Sequence, residues 1–253
     1  VKSPADLKAL RHLLRPPTRS QLAAFRERAG EIKTFARQRD VFVEGGWVEW
    51  GDAMLWLLGV EGLIFAQVDQ PELIEELLQI LFDYEQARIE ILLDAGVDAS
   101  VHRAWYEVTD FWTPAAYRRF LKPLLQREVH LVQDAGAFYT YIMTKGFAEH
   151  YTDFLDLGID VLCGVDPVQG GADLAEMKAA IGDRICLWGG MNSHVTLGGG
   201  TEEEIRAAVR GAVSALAPAG GFVLFPVDQI TLDMPARNVE ILIDGWRRAG
   251  DGS

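Results

Sequence analysis

Cysteine is scarce: the 253 residues hold two, Cys163 and Cys186. Far apart and in no CxxC pattern, they exclude a disulfide framework and a cysteine-based metal knuckle, and they read as reduced core thiols. Long apolar runs are missing as well. No stretch approaches the roughly 18 to 20 uninterrupted apolar residues that span a bilayer, and the opening VKSPADLKALRHLL lacks the apolar segment of a signal peptide. The expectation is a cytoplasmic protein with no membrane partner. Positive charge is in deficit, with 24 basic residues against 37 acidic and a net charge of -13. Such a chain repels a phosphate backbone at long range, which removes nucleic acid as a partner. An anionic ligand would have to be held by a few local Arg, Lys or His side chains within an acidic surface.

The motifs of several enzyme classes are also lacking. The five histidines, His12, His102, His130, His150 and His194, are scattered, and neither HExxH nor a Cys/His pair at zinc-ligand spacing occurs. There is no Walker loop and no GxSxG elbow. The glycines of LGGGTEEE, from Leu197, precede a helix start, but Glu202 to Glu204 place negative charge where a phosphate would bind, so the segment reads as a loop capped by Thr201.

What remains is a globular composition, 49% hydrophobic and 24% charged, long enough for a single α/β barrel. Ser3, Pro4 and Asp6 start a helix, PPTRS at residues 16–20 breaks it, and a second polar helix runs from about Gln21 to Arg39. From residue 40 one unit recurs: an amphipathic helix, a glycine stop, then a short β-branched or aromatic run suited to a strand buried on both faces. PELIEELLQILFDYEQARIEILLDAG, TPAAYRRFLKPLLQREVHLVQDAG and TEEEIRAAVRGAVSALAP are the long helices between them. Six strands are evident, against the eight of a closed barrel. The expected organisation is one domain over residues 1–253, with N-terminal helices at 3–39 and a barrel at 40–250 that lacks its first strand or strands.

Parallel α/β folds bind ligands at the carboxyl ends of their strands, which makes the strand-end residues the candidates. The first strand ends near Glu44, Trp47 and Glu49. The second runs into VHRAWYEVTDFWTP, the densest cluster in the chain. Here Arg103 would grip a carboxylate through a two-pronged contact, Trp105 and Tyr106 would stack on a flat ring, and Glu107 or Asp110 would pair with His102 as general acid and base. The third strand ends at Met143, Thr144 and Lys145, the fourth at Asp166, the fifth at Asn192, Ser193 and His194, and the sixth at Asp228 and Gln229. Two glycines in WGGMNSH allow close approach by a ligand or by a neighbouring loop.

Together, DLGIDVLCGVDPVQGGADLAEMKAAIGDRICLWGGMNS, GTEEEIRAAVRGAVSALAPAGGFVLFPVDQITLDMPARNV and SPADLKAL resemble the uroporphyrinogen decarboxylase superfamily over nearly the whole chain. The resemblance implies a (β/α)8 TIM barrel and one of two reactions, tetrapyrrole decarboxylation or methyl transfer to or from a corrinoid. Lys145 matches a lysine that the decarboxylases carry at a strand end, whereas the positions of their tyrosine and late histidine fall near Trp56 and Asp228. Zinc methyltransferases of the superfamily carry HxCG where this chain has Met143, Thr144, Lys145 and Gly146, so zinc is not expected there. The first expectation is methyl exchange between a small substrate and a corrinoid (cobalamin) carrier, with HRAWYE and Asp228 in the pocket. Decarboxylation of a porphyrinogen or other pyrrole carboxylate is the second, and a non-catalytic tetrapyrrole-binding barrel the third. Expected partners are a small-molecule substrate, a corrinoid protein and a second copy of the chain in a homodimer.

Overall fold

The computed structural model describes residues 1–250. Its helices begin where side chains satisfy the orphan N–H groups of a first turn. In α1 (Pro4–Leu13) the Asp6 carboxylate accepts the Ser3 N–H at 3.0 Å. In α2 (Arg19–Arg39) Thr18 and Gln21 cap reciprocally, which starts the helix two residues before the sequence expectation. Six strands follow: β1 (Glu44–Val48), β2 (Ala99–Arg103), β3 (Phe138–Ile142), β4 (Val161–Val165), β5 (Cys186–Asn192) and β6 (Phe222–Val227). They lie in one sheet in chain order, and the β1/β2, β4/β5 and β5/β6 ladders are parallel. The α/β fold and the six strand positions agree with the sequence. Glu44 is a correction: it opens β1 instead of ending it, and its carboxylate accepts the Thr140 hydroxyl at 2.9 Å.

The chain forms two compact units that divide between Tyr141 and Ile142. In the first, β1 leads into α3 (Trp50–Leu58) and α4 (Val60–Asp69), bent by 102° at Gly59. Among the described residues no single helix is long and apolar enough to cross a membrane. Helix α5 (Pro71–Ala95) ends on Gly96 in the left-handed conformation and buries a stripe of Leu73, Ile74, Leu77, Leu78 and Leu81, each worth about 1.5–3 kcal/mol. The helix expected after Thr113 comes in three pieces: α6 (Pro114–Ala116), a π turn at Tyr117–Leu121, and α7 (Lys122–Asp134). Pro123 has no N–H to give the ladder, and the wider spacing falls just before it.

The second unit carries α8 (Tyr151–Leu157), α9 (Leu174–Ile181), α10 (Glu202–Leu216), capped by Thr201, and α11 (Ala236–Gly250). Its core joins Met191, Leu197, Ile205, Val209, Ile241 and Leu242. The β5 glycines serve packing. A Cβ on Gly189 would fall 2.4 Å from the Val165 carbonyl oxygen, so the missing side chain lets β4 come close.

Candidate functional site

The cluster at the end of β2 is assembled by a residue outside the sequence candidates. Asp52, in the first turn of α3, is fully buried and accepts the backbone N–H groups of Trp105 at 3.2 Å and Tyr106 at 2.6 Å. It thereby pins the loop that follows β2. Burial pushes its carboxyl up to about 7, with the negative charge of Glu107 adding to the rise and the Tyr106 N–H and Arg103 opposing it.

Arg103 Nη1 lies 2.8 Å from Asp52 Oδ2 and 3.5 Å from Glu49 Oε2. Only 7% of this side chain is exposed, and Nη1 makes an ion pair without the directed geometry of a hydrogen bond. The guanidinium carbon stands 4.0 Å from the centre of the Trp105 ring, 5.2 Å from Trp56 and 5.6 Å from Tyr106, within cation–π range of all three. Trp47 meets Trp105 edge-on at 6.3 Å, and Trp56 meets Tyr106 in the same way. Trp47 and Trp56 are 47% and 53% exposed, so the box has an outer aromatic surface.

Behind Arg103 the alternation of β2 turns His102 inward. Its Nε2 is 2.8 Å from Glu107 Oε1 and its Nδ1 is 3.0 Å from Glu128 Oε1, with all three side chains fully buried. Tyr141 donates to Glu107 at 2.6 Å, Tyr139 donates to Glu128 at 3.0 Å, and the Trp50 indole N–H also reaches Glu128. Burial disfavours the imidazolium, but Glu128 and Glu107 outweigh it and hold His102 well above its ordinary value. The tyrosines are raised by burial first and then by the same carboxylates, which keeps them neutral donors. Gly51 makes room for this network: a Cβ there would fall 1.8 Å from Glu107 Oε1.

His102 and Glu107 therefore meet as the sequence suggested, but out of solvent, with every bond given to the protein. In the second unit Asp166 is locked in the same manner. Its Oδ1 accepts the Val168 N–H at 2.8 Å and its Oδ2 accepts from Asn192 at 2.8 Å, while Asn192 Oδ1 caps the following turn through the Val195 N–H. Met143 is fully buried and Lys145 half-buried. Asp228 directly follows β6 with φ 79° and stays partly exposed, 4.0 Å from His194.

Sequence reasoning passed over Asp52, Glu128 and the two tyrosines. Glu128 did leave a signal: it shares the apolar face of α7 with Leu124, Leu125, Val129 and Val132, where a carboxylate is out of place unless paired. Asp52 left none, because the helix whose first turn it occupies was not itself evident in the sequence.

The uroporphyrinogen decarboxylase (URO-D) family profile matches residues 57–249. A methylcobamide:CoM methyltransferase MtaA of Methanosarcina barkeri is 26% identical over 187 residues, covering 72% of this chain and 53% of that protein. A uroporphyrinogen decarboxylase of Chlorobaculum tepidum is 31% identical over 144 residues, covering 54% of this chain and 37% of that protein. The chain thus spans about half or less of the length of these relatives. Among solved structures, a methyltransferase from Methanosarcina mazei superposes with a TM-score of 0.71 at 22% identity, covering 87% of this chain and 63% of that one.

Proposed function

The chain belongs to the uroporphyrinogen decarboxylase family, and from that premise we propose that it transfers a methyl group between a small methylated substrate and a corrinoid carrier, with the Arg103 box as the substrate wall. The observation that carries this reading is the pairing of Arg103 with Asp52 and Glu49. A porphyrinogen brings several carboxylates, and each needs a cation that is not already neutralised. At this strand end the cation is taken up by protein carboxylates, and the surface offered outward is indole. That favours an uncharged or methyl-rich group over a polyanion.

A corrinoid, when bound, would supply the nucleophile that takes up the methyl group. The half-exposed indole of Trp47 would offer an apolar face to the edge of such a macrocycle. Zinc does not fit the family's ligand position, where the donors are the buried thioether of Met143, the hydroxyl of Thr144 and the ammonium of Lys145, and no step is routed through a metal. His102, Glu107 and Glu128 act as positioning residues that fix β2 and its loop.

The test is a visible-absorbance titration of the protein with methylcobalamin, cob(I)alamin and uroporphyrin in parallel. A saturable corrinoid response with no porphyrin response is expected. Saturation by uroporphyrin alone would overturn the reading in favour of the decarboxylase.

A further inference from the structure

We infer that the substrate of the Arg103 box is a methylated onium cation, a quaternary ammonium or a sulfonium; its role as methyl donor rests on the methyl-transfer reading. Charge is the first argument. Glu49 and Asp52 face one cation, Arg103, and the layer behind repeats the ratio with Glu107 and Glu128 around His102. An incoming anion meets a surplus of carboxyl groups at the box, with a second surplus buried behind it, and a cation meets attraction.

The aromatic walls are the second argument. The box already holds one cation against Trp105, Trp56 and Tyr106, at 4.0, 5.2 and 5.6 Å. Trp56 keeps about half its surface free, and Glu49, paired with the same Arg103, is 30% exposed. Indole is the strongest of the aromatic partners for a cation, and a methylated onium, which cannot donate a hydrogen bond, relies on such faces.

Leaving-group chemistry is the third. When an onium gives up a methyl group, the carbon–nitrogen or carbon–sulfur bond breaks with its electron pair staying on the heteroatom. The product is a neutral amine or thioether, and no proton is taken up. The methyl carbon would take both electrons of its new bond from the reduced corrinoid of the proposed reaction. A methyl ether or a neutral amine would instead need a proton at its leaving atom. The buried carboxyl groups here are poorly placed to give one: Asp52 is fully out of solvent with both oxygens turned to the Trp105 and Tyr106 N–H groups, so a proton it carries is not offered to a ligand, and Glu107 and Glu128 are sealed among His102 and the tyrosines. An onium removes that requirement.

The experiment compares choline with 3,3-dimethylbutan-1-ol, which has the same shape with carbon in place of the charged nitrogen. Binding is followed by tryptophan fluorescence and calorimetry on the 253-residue protein. Choline should bind at least tenfold more tightly than the alcohol, and Trp56→Ala should weaken it at least tenfold. Glu49→Gln, a change of equal volume at a partly exposed side chain, should weaken it severalfold and reduce its salt dependence, with circular dichroism checking that the fold is kept. Equal affinity for the two isosteres, or choline binding unmoved by both substitutions, would overturn the inference. A corrinoid response without choline discrimination sinks the onium assignment and leaves methyl transfer standing; choline discrimination without a corrinoid response does the reverse.

Discussion

Asp52 holds Arg103 at 2.8 Å and, through the N–H groups of Trp105 and Tyr106, holds the two rings on which that guanidinium lies. One carboxylate thus sets both the charge and the shape of the box. Arg103→Ala removes the cation and leaves Asp52 buried. Breaking a buried ion pair costs roughly 3–5 kcal/mol when the remaining group must stay charged. Asp52, with its carboxyl raised to about 7, has an escape by binding a proton. The expected loss is therefore smaller at pH 6 than at pH 8, measured by urea unfolding at both values. An equal loss at the two would show that Asp52 does not take the proton.

The same carboxyl makes the stability of the wild-type protein depend on pH. Between its ordinary value of 3.8 and about 7, the folded state keeps a proton that the unfolded state has released. Stability then falls as pH rises through that window, by about 1.4 kcal/mol per pH unit for each such proton, and levels off above it. Glu85 acts in the same direction: burial raises it to about 7, the charges of Glu128 and Glu49 add, and Arg88 opposes. His102 adds to the trend from the other side. Its folded value lies above 6.5, so its contribution is complete below 6.5 and is lost as pH climbs through the folded value. Urea midpoints should decline from pH 5 to pH 8, and Asp52→Asn should flatten the pH 5 to 7 portion. An unchanged slope in that variant would assign the dependence elsewhere.

Strands and long helices were legible because their signals are local. Glycine after an amphipathic run marks Gly96 as the stop of α5, and Thr201 with Glu204 marks the start of α10, without reference to the rest of the chain. The aromatic and basic density of HRAWYE likewise pointed to the box. Its internal chemistry was not legible, because its deciding partners are distant in sequence. Asp52 is separated by 51 positions from Arg103, and Trp50 by 78 from Glu128. Arg103 therefore looked free to bind a carboxylate, although the fold supplies two of its own. Helices α3 and α4 were missed because a nearly continuous apolar segment carries no clear period, and only the bend at Gly59 divides it.

Glu128 is the hub of the inner network, accepting from Trp50, His102 and Tyr139. Glu128→Gln keeps the volume but turns one acceptor into a donor, so at least one of the three donors loses its partner inside the core. The expected destabilisation is roughly 3–5 kcal/mol, as for other broken buried pairs. His102 should respond as well. With one of its two carboxylates gone, the imidazolium is less favoured, and the His102 ring resonances in NMR should titrate at a lower pH than in the wild type. A variant of unchanged stability with an unmoved His102 titration would mean that Glu128 does not hold the proton in place.

Gly51 tests whether the close approach of α3 to Glu107 is required. An added Cβ would overlap Glu107 Oε1 at 1.8 Å, and that oxygen is also bonded to His102. Gly51→Ala therefore forces Glu107 to give up His102 or Tyr141, or pushes the first turn of α3 outward and drags Asp52 off the Trp105 and Tyr106 N–H groups. Either response adds a lost buried hydrogen bond to an overpacking cost of about 1–3 kcal/mol. The control is Gly62→Ala in α4, where the new Cβ meets only Leu58 at an ordinary 3.5 Å. Removing a helical glycine there should be neutral or stabilising by roughly 0.4–1 kcal/mol. The melting temperature should fall for Gly51→Ala and hold or rise for Gly62→Ala, and the near-ultraviolet circular dichroism of the tryptophan cluster should change only for Gly51→Ala. If both substitutions are tolerated alike, Glu107 has another place to go, and the inner network is looser than its distances suggest.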